Sequence, residues 1–347
     1  MSNILKKLSD DLPDLGRRQC RRLASHGISC RRDLEDVIRA SEKGPTLLSS
    51  LLEIPQADLK ALLGWSEWPE HHVELGARYP LSGVRPPSKR TSQRRVSRYV
   101  GDASGLPDSA SLTDRMEKPR DQGAIGSCTA FALTAAVESQ LRGPLDLSEA
   151  FLYGRTKAID RAAQSDGSRL EFASAALLRW GTCREKTWPY RQDRDFLRST
   201  PTDIAWREAE SYRPKSAVDV QMLNPNNVSA VCHAVAHGQG VAISVPLFVS
   251  TTNSLLFRQQ GRMLMQMGSG DRIDGYHAMC IVGYFRDTWL AARGLPEQPG
   301  KGVFVVRNSW NTTWAPENPI APHIGIGGGF ALLPFRYLEE YCFEAFI

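Results

Sequence analysis

Three short segments of this 347-residue chain hold residue types that can do nucleophilic chemistry together. The first, Asp121-Gln122-Gly123-Ala124-Ile125-Gly126-Ser127-Cys128, is a glycine-rich turn running into a stretch that reads as a helix from Ser127 to Leu141. Cys128 falls in the first helical turn, where free backbone N–H groups and the positive end of the helix dipole favour a thiolate over a thiol. A lone cysteine, with a pKa near ~8.5, is only a few per cent ionised at neutral pH; helix placement and a nearby imidazolium lower that value. The second segment, Asp274-Gly275-Tyr276-His277, puts a histidine at the mouth of an apolar strand over 278–284. The third, Arg307-Asn308-Ser309-Trp310, ends a strand over 302–307. Asn308 can accept the proton on the far ring nitrogen of His277 and fix its tautomer, and Trp310 can shield that hydrogen bond from water.

The elements that must position these residues divide the chain in three. Residues 1–68 read as short helices: Leu5, Leu8, Leu12 and Leu15 share one helical face, Arg17 to Ser25 is closed by Gly27, and Pro45 breaks the chain near Gly44. Residues 69–105 contain Pro69, Pro80, Pro86 and Pro87 and read as a linker. From 106 to 347, helices at 148–153 and 170–180 precede strands at 240–245, 278–284 and 302–307, an α+β layout with two packed halves.

Composition narrows the class. Hydrophobic residues make up 41% and charged residues 23%, ordinary globular values. No run of 18 apolar residues suggests a membrane span, and Met1 to Lys7 lack the apolar core of a secretory signal. Seven cysteines without a CxxC pair argue against a disulfide framework or a zinc site, and reduced thiols point to the cytoplasm. The net charge of +5 is concentrated in the first 100 residues, chiefly at Arg85, Lys89, Arg90, Arg94, Arg95 and Arg98. Such a block is most simply a solvated linker; the sharper readings are an acidic partner, nucleic acid or a processing site.

Taken in order, the motifs resemble those of papain-like (C1) cysteine peptidases. Gln122 to Phe131 is similar to the family's Gln…Gly-x-Cys-x-Ala-Phe element, His277-Ala278 with Val282-Gly283-Tyr284 to its histidine strand, and Arg307-Asn308-Ser309-Trp310 to its Asn-Ser-Trp element. Leu147 to Tyr153, Gly181-Thr182-Cys183 and Trp188-Pro189-Tyr190 extend the likeness, which is closest to the family's bacterial, prosegment-poor branch. The resemblance implies a two-lobed fold, a helical left lobe against a β-sheet or barrel right lobe, preceded here by a small all-α domain. It implies peptide-bond hydrolysis through an acyl-enzyme. Cys128 is then the nucleophile, His277 the base, Asn308 its orienter and Gln122 the oxyanion donor. Gly167 and Ser168, with Trp310, would meet substrate. No metal or organic cofactor is called for.

Departures and rivals bound that expectation. After Trp310 the chain reads Asn311-Thr312-Thr313-Trp314-Ala315, where relatives have Gly-x-x-Trp-Gly, so a remodelled loop is expected there. Residues 286–300 read as an insertion between two strands. The same trio serves deamidases, transpeptidases and acyltransferases, and a catalytically silent fold would act as a binding module. His233 and His237 stand at helical spacing, but no third ligand completes a metal site. Leu12-Pro13-Asp14-Leu15-Gly16 followed by Gly27-Ile28 resembles a helix-hairpin-helix module. That likeness implies a docking domain over 1–68 for a protein or, less directly, for nucleic acid; the plain alternative is a helical bundle. The substrate expected is a protein or peptide, and no membrane partner is expected. Activity is expected to be limited by delivery through residues 1–68 or a partner they bind; the alternative is that the 69–105 linker lies in the active-site cleft and is cut by Cys128 itself.

Overall fold

In the computed structural model, residues 3–71, 81, 83–86, 105–141, 143, 145–162, 165–215 and 223–347 are described. Five short helices open the chain: α1 (Asn3–Asp11), α2 (Arg17–Ser25), α3 (Arg31–Arg39), α4 (Gly44–Leu52) and α5 (Gln56–Leu62). Their leucines, spaced three and four apart, bury Leu8, Leu23, Leu34, Leu48 and Leu59 together. Pro45 does not break the chain as expected. It sits in the first turn of α4, where a missing N–H costs nothing.

The remainder is α+β. A short strand β1 (Ser109–Ser111) precedes α6 (Cys128–Gln140), α7 (Glu149–Ile159) and α8 (Leu170–Trp180), with α9 (Asp195–Arg198), α10 (Asp203–Ser211) and α11 (Val228–Ala236) following. Then come β2 (Val241–Phe248), α12 (Val249–Thr252), α13 (Leu255–Gln260), β3 (Ile273–Arg286), α14 (Asp287–Ala291), β4 (Gly302–Arg307), α15 (Ala321–Ile324), β5 (Phe330–Pro334), α16 (Phe335–Tyr341) and β6 (Glu344–Phe346). One antiparallel sheet runs β5-β4-β3-β2-β6, with β1 also on β3. Every residue of β2 and β4 is buried, which is why both read as continuous apolar runs rather than alternating ones.

Helix α6 joins the halves by packing on β2 and β3. A buried ion pair reinforces that seam. Arg307 Nη1, at the end of β4, donates to Glu138 Oε2 on α6 at 2.5 Å, while Leu147 N donates to the other carboxylate oxygen at 2.8 Å. Burial pushes the Glu138 carboxyl up and Arg307 opposes it. The helical unit at the front is not separate from this body. Leu256, Leu264 and Met267 belong to its apolar cluster, and Arg262 donates to both oxygens of Asp33 at 3.1 and 2.9 Å.

Candidate active site

The turn before α6 sets where Cys128 begins the helix. Ser127 Oγ meets the Tyr190 hydroxyl at 2.6 Å, and that hydroxyl reaches Gln122 O at 2.9 Å, so the loop is pinned from both ends. Gly126 has to be glycine, because a Cβ there would lie 2.6 Å from Gly167 N. Cys128 follows as the first residue of α6.

The structure brings Cys128, His277 and Asn308 to one seam between helix and sheet. Asn308 Oδ1 lies 2.7 Å from His277 Nε2 and also accepts from Ser309 N at 2.8 Å. An amide oxygen only accepts, so Nε2 carries the proton and Nδ1 keeps its lone pair. Among the described residues no partner reaches Nδ1. The Trp310 ring stacks on His277 with centroids 4.6 Å apart, and Trp314 and Phe257 meet Trp310 edge-on at 5.2 and 5.8 Å. Gln122 is buried; its side-chain N–H₂ donates to Ile125 O at 2.7 Å and its carbonyl accepts from Ser309 Oγ.

The electrostatics are those of a closed site. Burial pushes the Cys128 thiol up to about 12, against backbone hydrogen bonds from Ala278, Thr129 and Cys128 itself. Burial also pulls His277 down to about 4, with the Asn308 hydrogen bond opposing. Both shifts favour the neutral thiol and the neutral imidazole, against the lowered thiol expected from helix placement alone. Desolvation outweighs the dipole because the sulfur is covered.

The cover comes from the chain itself. A Cβ on Gly83 would stand 2.6 Å from Cys128 Sγ. On one side Tyr276 N donates to Leu81 O at 2.6 Å. On the other, Ser168 N donates to Gly83 O at 3.0 Å and Arg85 N to Ser168 O at 2.9 Å, a parallel bridge of Val84 with Ser168. Arg85 then pairs with the buried Asp160 carboxylate, which Lys157 and Ser168 Oγ also contact at 2.8 and 2.9 Å. Residues 81 and 83–86 belong to the stretch expected from sequence to be a linker, with a place in the active-site cleft as the alternative. A small residue, Gly83, bracketed by Pro80 and Pro86 was the available signal for an extended strap. Lys89, Arg90, Arg94, Arg95 and Arg98 lie outside the described residues.

The other expected positions divide. Ser168 pairs with the strap backbone, whereas Gly167 N is held by the Tyr153 hydroxyl at 3.1 Å and its carbonyl accepts from Lys157 and Arg85. Asn311 and Ala315 take φ of 51° and 53°, so the left-handed turns survive where the motif has glycine and Trp314 stays buried beside Trp310. The loop is therefore less remodelled than its sequence suggests. His233 and His237 stack on each other, and no cluster of three metal-ligating side chains occurs among the described residues.

Comparison with known proteins places the fold and the family. The model of the papain family of cysteine proteases matches residues 106–318. A peptidase C1-like protein of Acanthamoeba polyphaga mimivirus is 22% identical over 63% of this chain and 65% of its own length. Peptidase 1 of the mite Dermatophagoides pteronyssinus is 28% identical over 64% and 60%, and papain of Carica papaya 24% over 61% and 53%. The chain thus spans somewhat under two thirds of these relatives. Among solved structures, xylellain, a cysteine protease from Xylella fastidiosa, superposes with a TM-score of 0.58 at 22% identity, covering 76% of this chain and 94% of its own. Procathepsin L 3 of Tenebrio molitor gives 0.53 at 17% identity over 94% and 97%. No described helix is long and apolar enough to cross a membrane. With its family model covering well over half its length, this chain belongs to the papain family of cysteine proteases.

Proposed function

We propose that this protein hydrolyses peptide bonds through Cys128, His277, Asn308 and Gln122, and that the state described above is its latent form. The carrying observation is the close approach of Gly83 to the Cys128 sulfur, which the backbone of Ala278, next to His277, also reaches, while His277 Nδ1 is left with a lone pair. Once uncovered, Cys128 passes its proton to His277 and attacks a substrate carbonyl. The second hydrogen of the Gln122 amide and the Cys128 N–H face the oxyanion. His277 protonates the leaving amine and then activates water against the acyl-enzyme.

The direction of the strap supports latency. A leaving amine must lie near His277 to receive its proton, so a substrate runs from the Ser168 side, N-terminal, to the His277 side, C-terminal. The strap runs the other way, from Leu81 at Tyr276 to Arg85 at Ser168. Its peptide groups present the wrong order of carbonyl and amine to the sulfur. The helical unit over 1–68 is then a candidate regulatory or partner-docking element; the basic run beyond the strap remains a candidate contact for an acidic partner. Seven free thiols, six of them buried, fit a reducing compartment such as the cytoplasm.

The test is labelling of the full-length chain with a thiol-directed epoxide, with and without Gly83→Val. Labelling of Cys128 that appears only when the strap is displaced supports the reading. Labelling spread evenly over the seven cysteines in both forms sinks it.

A further inference from the structure

The sulfur and the histidine are positioned by more than the papain-like domain. Helix α13 stands directly behind the indole wall. Its Phe257 ring meets Trp310 at 5.8 Å and Trp314 at 5.0 Å, both edge-on, and Trp310 lies flat on His277. The backbone of α13 also holds the loop that carries Trp314: Ala315 N donates to Arg258 O at 2.9 Å and Glu317 N to Gln259 O at 2.8 Å. Where α13 sits therefore decides where the wall of His277 sits.

The placement of α13 depends on the N-terminal helices. The first amides of a helix have no partner within it. Ser254 Oγ takes only the third, Phe257 N, at 3.1 Å. The first two, Leu255 N and Leu256 N, donate to Oδ1 and Oδ2 of Asp36 on α3 at 3.0 and 3.2 Å. Around this cap the contact has the character of a core. Leu256, Leu264 and Met267 are at most 4% exposed and lie within the apolar cluster of the helical unit. Arg262 pairs with Asp33 and donates to Gly27 O at 2.6 Å, and Met265 N donates to His26 O. Departure of the unit would bare three apolar side chains, orphan two helix amides and strand the Arg262 guanidinium.

We propose that the N-terminal helical unit is a lasting part of the working enzyme, with Asp36 a positioning residue that caps α13 and so holds Phe257 against the indole wall of His277. This rests on the peptidase reading of Cys128 and His277. The strap and the unit then have separate fates: the strap must leave the sulfur, while α1–α5 stay.

The test uses the full-length chain in which Gly83→Val displaces the strap. The rate of iodoacetamide reaction at Cys128, located by mass spectrometry, is followed from pH 5 to 9. Gly83→Val alone is expected to react at pH 6, as a thiolate paired with an imidazolium does. Adding Asp36→Ala is expected to lower the pH 6 rate about tenfold and move the profile toward that of an ordinary thiol near ~8.5. Asp36→Asn keeps one acceptor oxygen for the two amides and is expected to recover part of the loss. A folded Asp36→Ala protein with an unchanged pH 6 rate and profile overturns the inference and leaves the peptidase reading intact. If Gly83→Val itself reacts only as an ordinary thiol, the peptidase reading fails and takes this inference with it. Should Asp36→Ala not fold, Phe257→Leu keeps the apolar volume but removes the ring; the same profile shift supports the proposal, and an unshifted profile refutes it.

Discussion

Gly83 and Cys128 stand so close that a single methyl group on the glycine would come within 2.6 Å of the sulfur. No heavy atom fits there, so every side chain at position 83 must push the strap off the nucleophile. Gly83→Ala and Gly83→Val are therefore expected to raise the iodoacetamide reactivity of Cys128 at neutral pH at least tenfold, with little change at the six other cysteines. Peptide mapping after brief alkylation reads this directly, and equal labelling of Cys128 before and after substitution would place the strap elsewhere in solution.

Arg85 holds the far end of the strap through Asp160. The guanidinium is about a third exposed, so its contribution is modest, on the order of 1 kcal/mol or less. Arg85→Ala is expected to uncover Cys128 several-fold less effectively than Gly83→Val. The effect should shrink in 1 M salt, where the Debye length falls to ~3 Å. An Arg85→Ala effect larger than that of Gly83→Val would mean that the ionic latch, not the fit over sulfur, is the main restraint.

Asn308 orients His277, whereas His277 carries protons. In the Gly83→Val background, His277→Ala should remove at least the ~10²–10⁴-fold that acid–base transfer contributes. Asn308→Ala should slow hydrolysis by less than that, because the ring still stacks on Trp310. Turnover of a fluorogenic peptide amide by folded variants separates the two, and equal losses would contradict the assignment.

The buried His277 also makes stability depend on pH. Its pKa is about 4 in the folded chain, lowered by burial, against an ordinary ~6.5 when unfolded. Between those values the unfolded chain binds more protons, so stability rises with pH through this window and is lost on acidification. The slope approaches ~1.4 kcal/mol per pH unit at most. Urea unfolding at pH 4.5 and 6.5 should show this loss in the parent and a smaller one in His277→Gln. Identical pH dependence in both would show that His277 is solvated.

Breaking the Glu138–Arg307 pair should be costly, since it leaves a charge inside the seam between α6 and β4. Arg307→Met alone is expected to destabilise by about 3–5 kcal/mol, and Arg307→Met with Glu138→Leu by much less. Denaturant midpoints of the two variants provide the comparison.

Much of this was legible in sequence because the signals were local. A cysteine after Gly-Ser, a histidine before Ala-Met-Cys-Ile-Val and an Asn-Ser-Trp each sit on or at the end of an element marked by a strong apolar run, and α2, α8 and β4 begin and end where capping and apolar runs suggest. Strands β5 and β6 were missed: Phe330–Pro334 follows three glycines and runs straight into α16, and Glu344–Phe346 is only three residues long. For the strap, sequence offered a place in the cleft only as an alternative for the whole linker, without the residues that fill it. Nothing in Leu81 to Pro86 states what it lies against; its meaning comes from Ser168 and Tyr276, each more than eighty residues away. The depressed histidine and elevated thiol were out of reach for the same reason, since both follow from burial by residues distant in sequence.

The strap is covalently continuous with folded structure on both sides, α5 before it and β1 after it. A single backbone cut leaves it attached to one of the two bodies, and those bodies share an apolar cluster. A tethered segment competes for its site at a higher effective concentration than a free one. One nick would therefore change the strap from an intramolecular ligand to a tethered one without removing it. A free peptide of the same sequence, lacking that tether, should inhibit only at far higher concentration than its place in the chain suggests. Full, irreversible exposure of the nucleophile would then take two cuts, one on each side of Gly83.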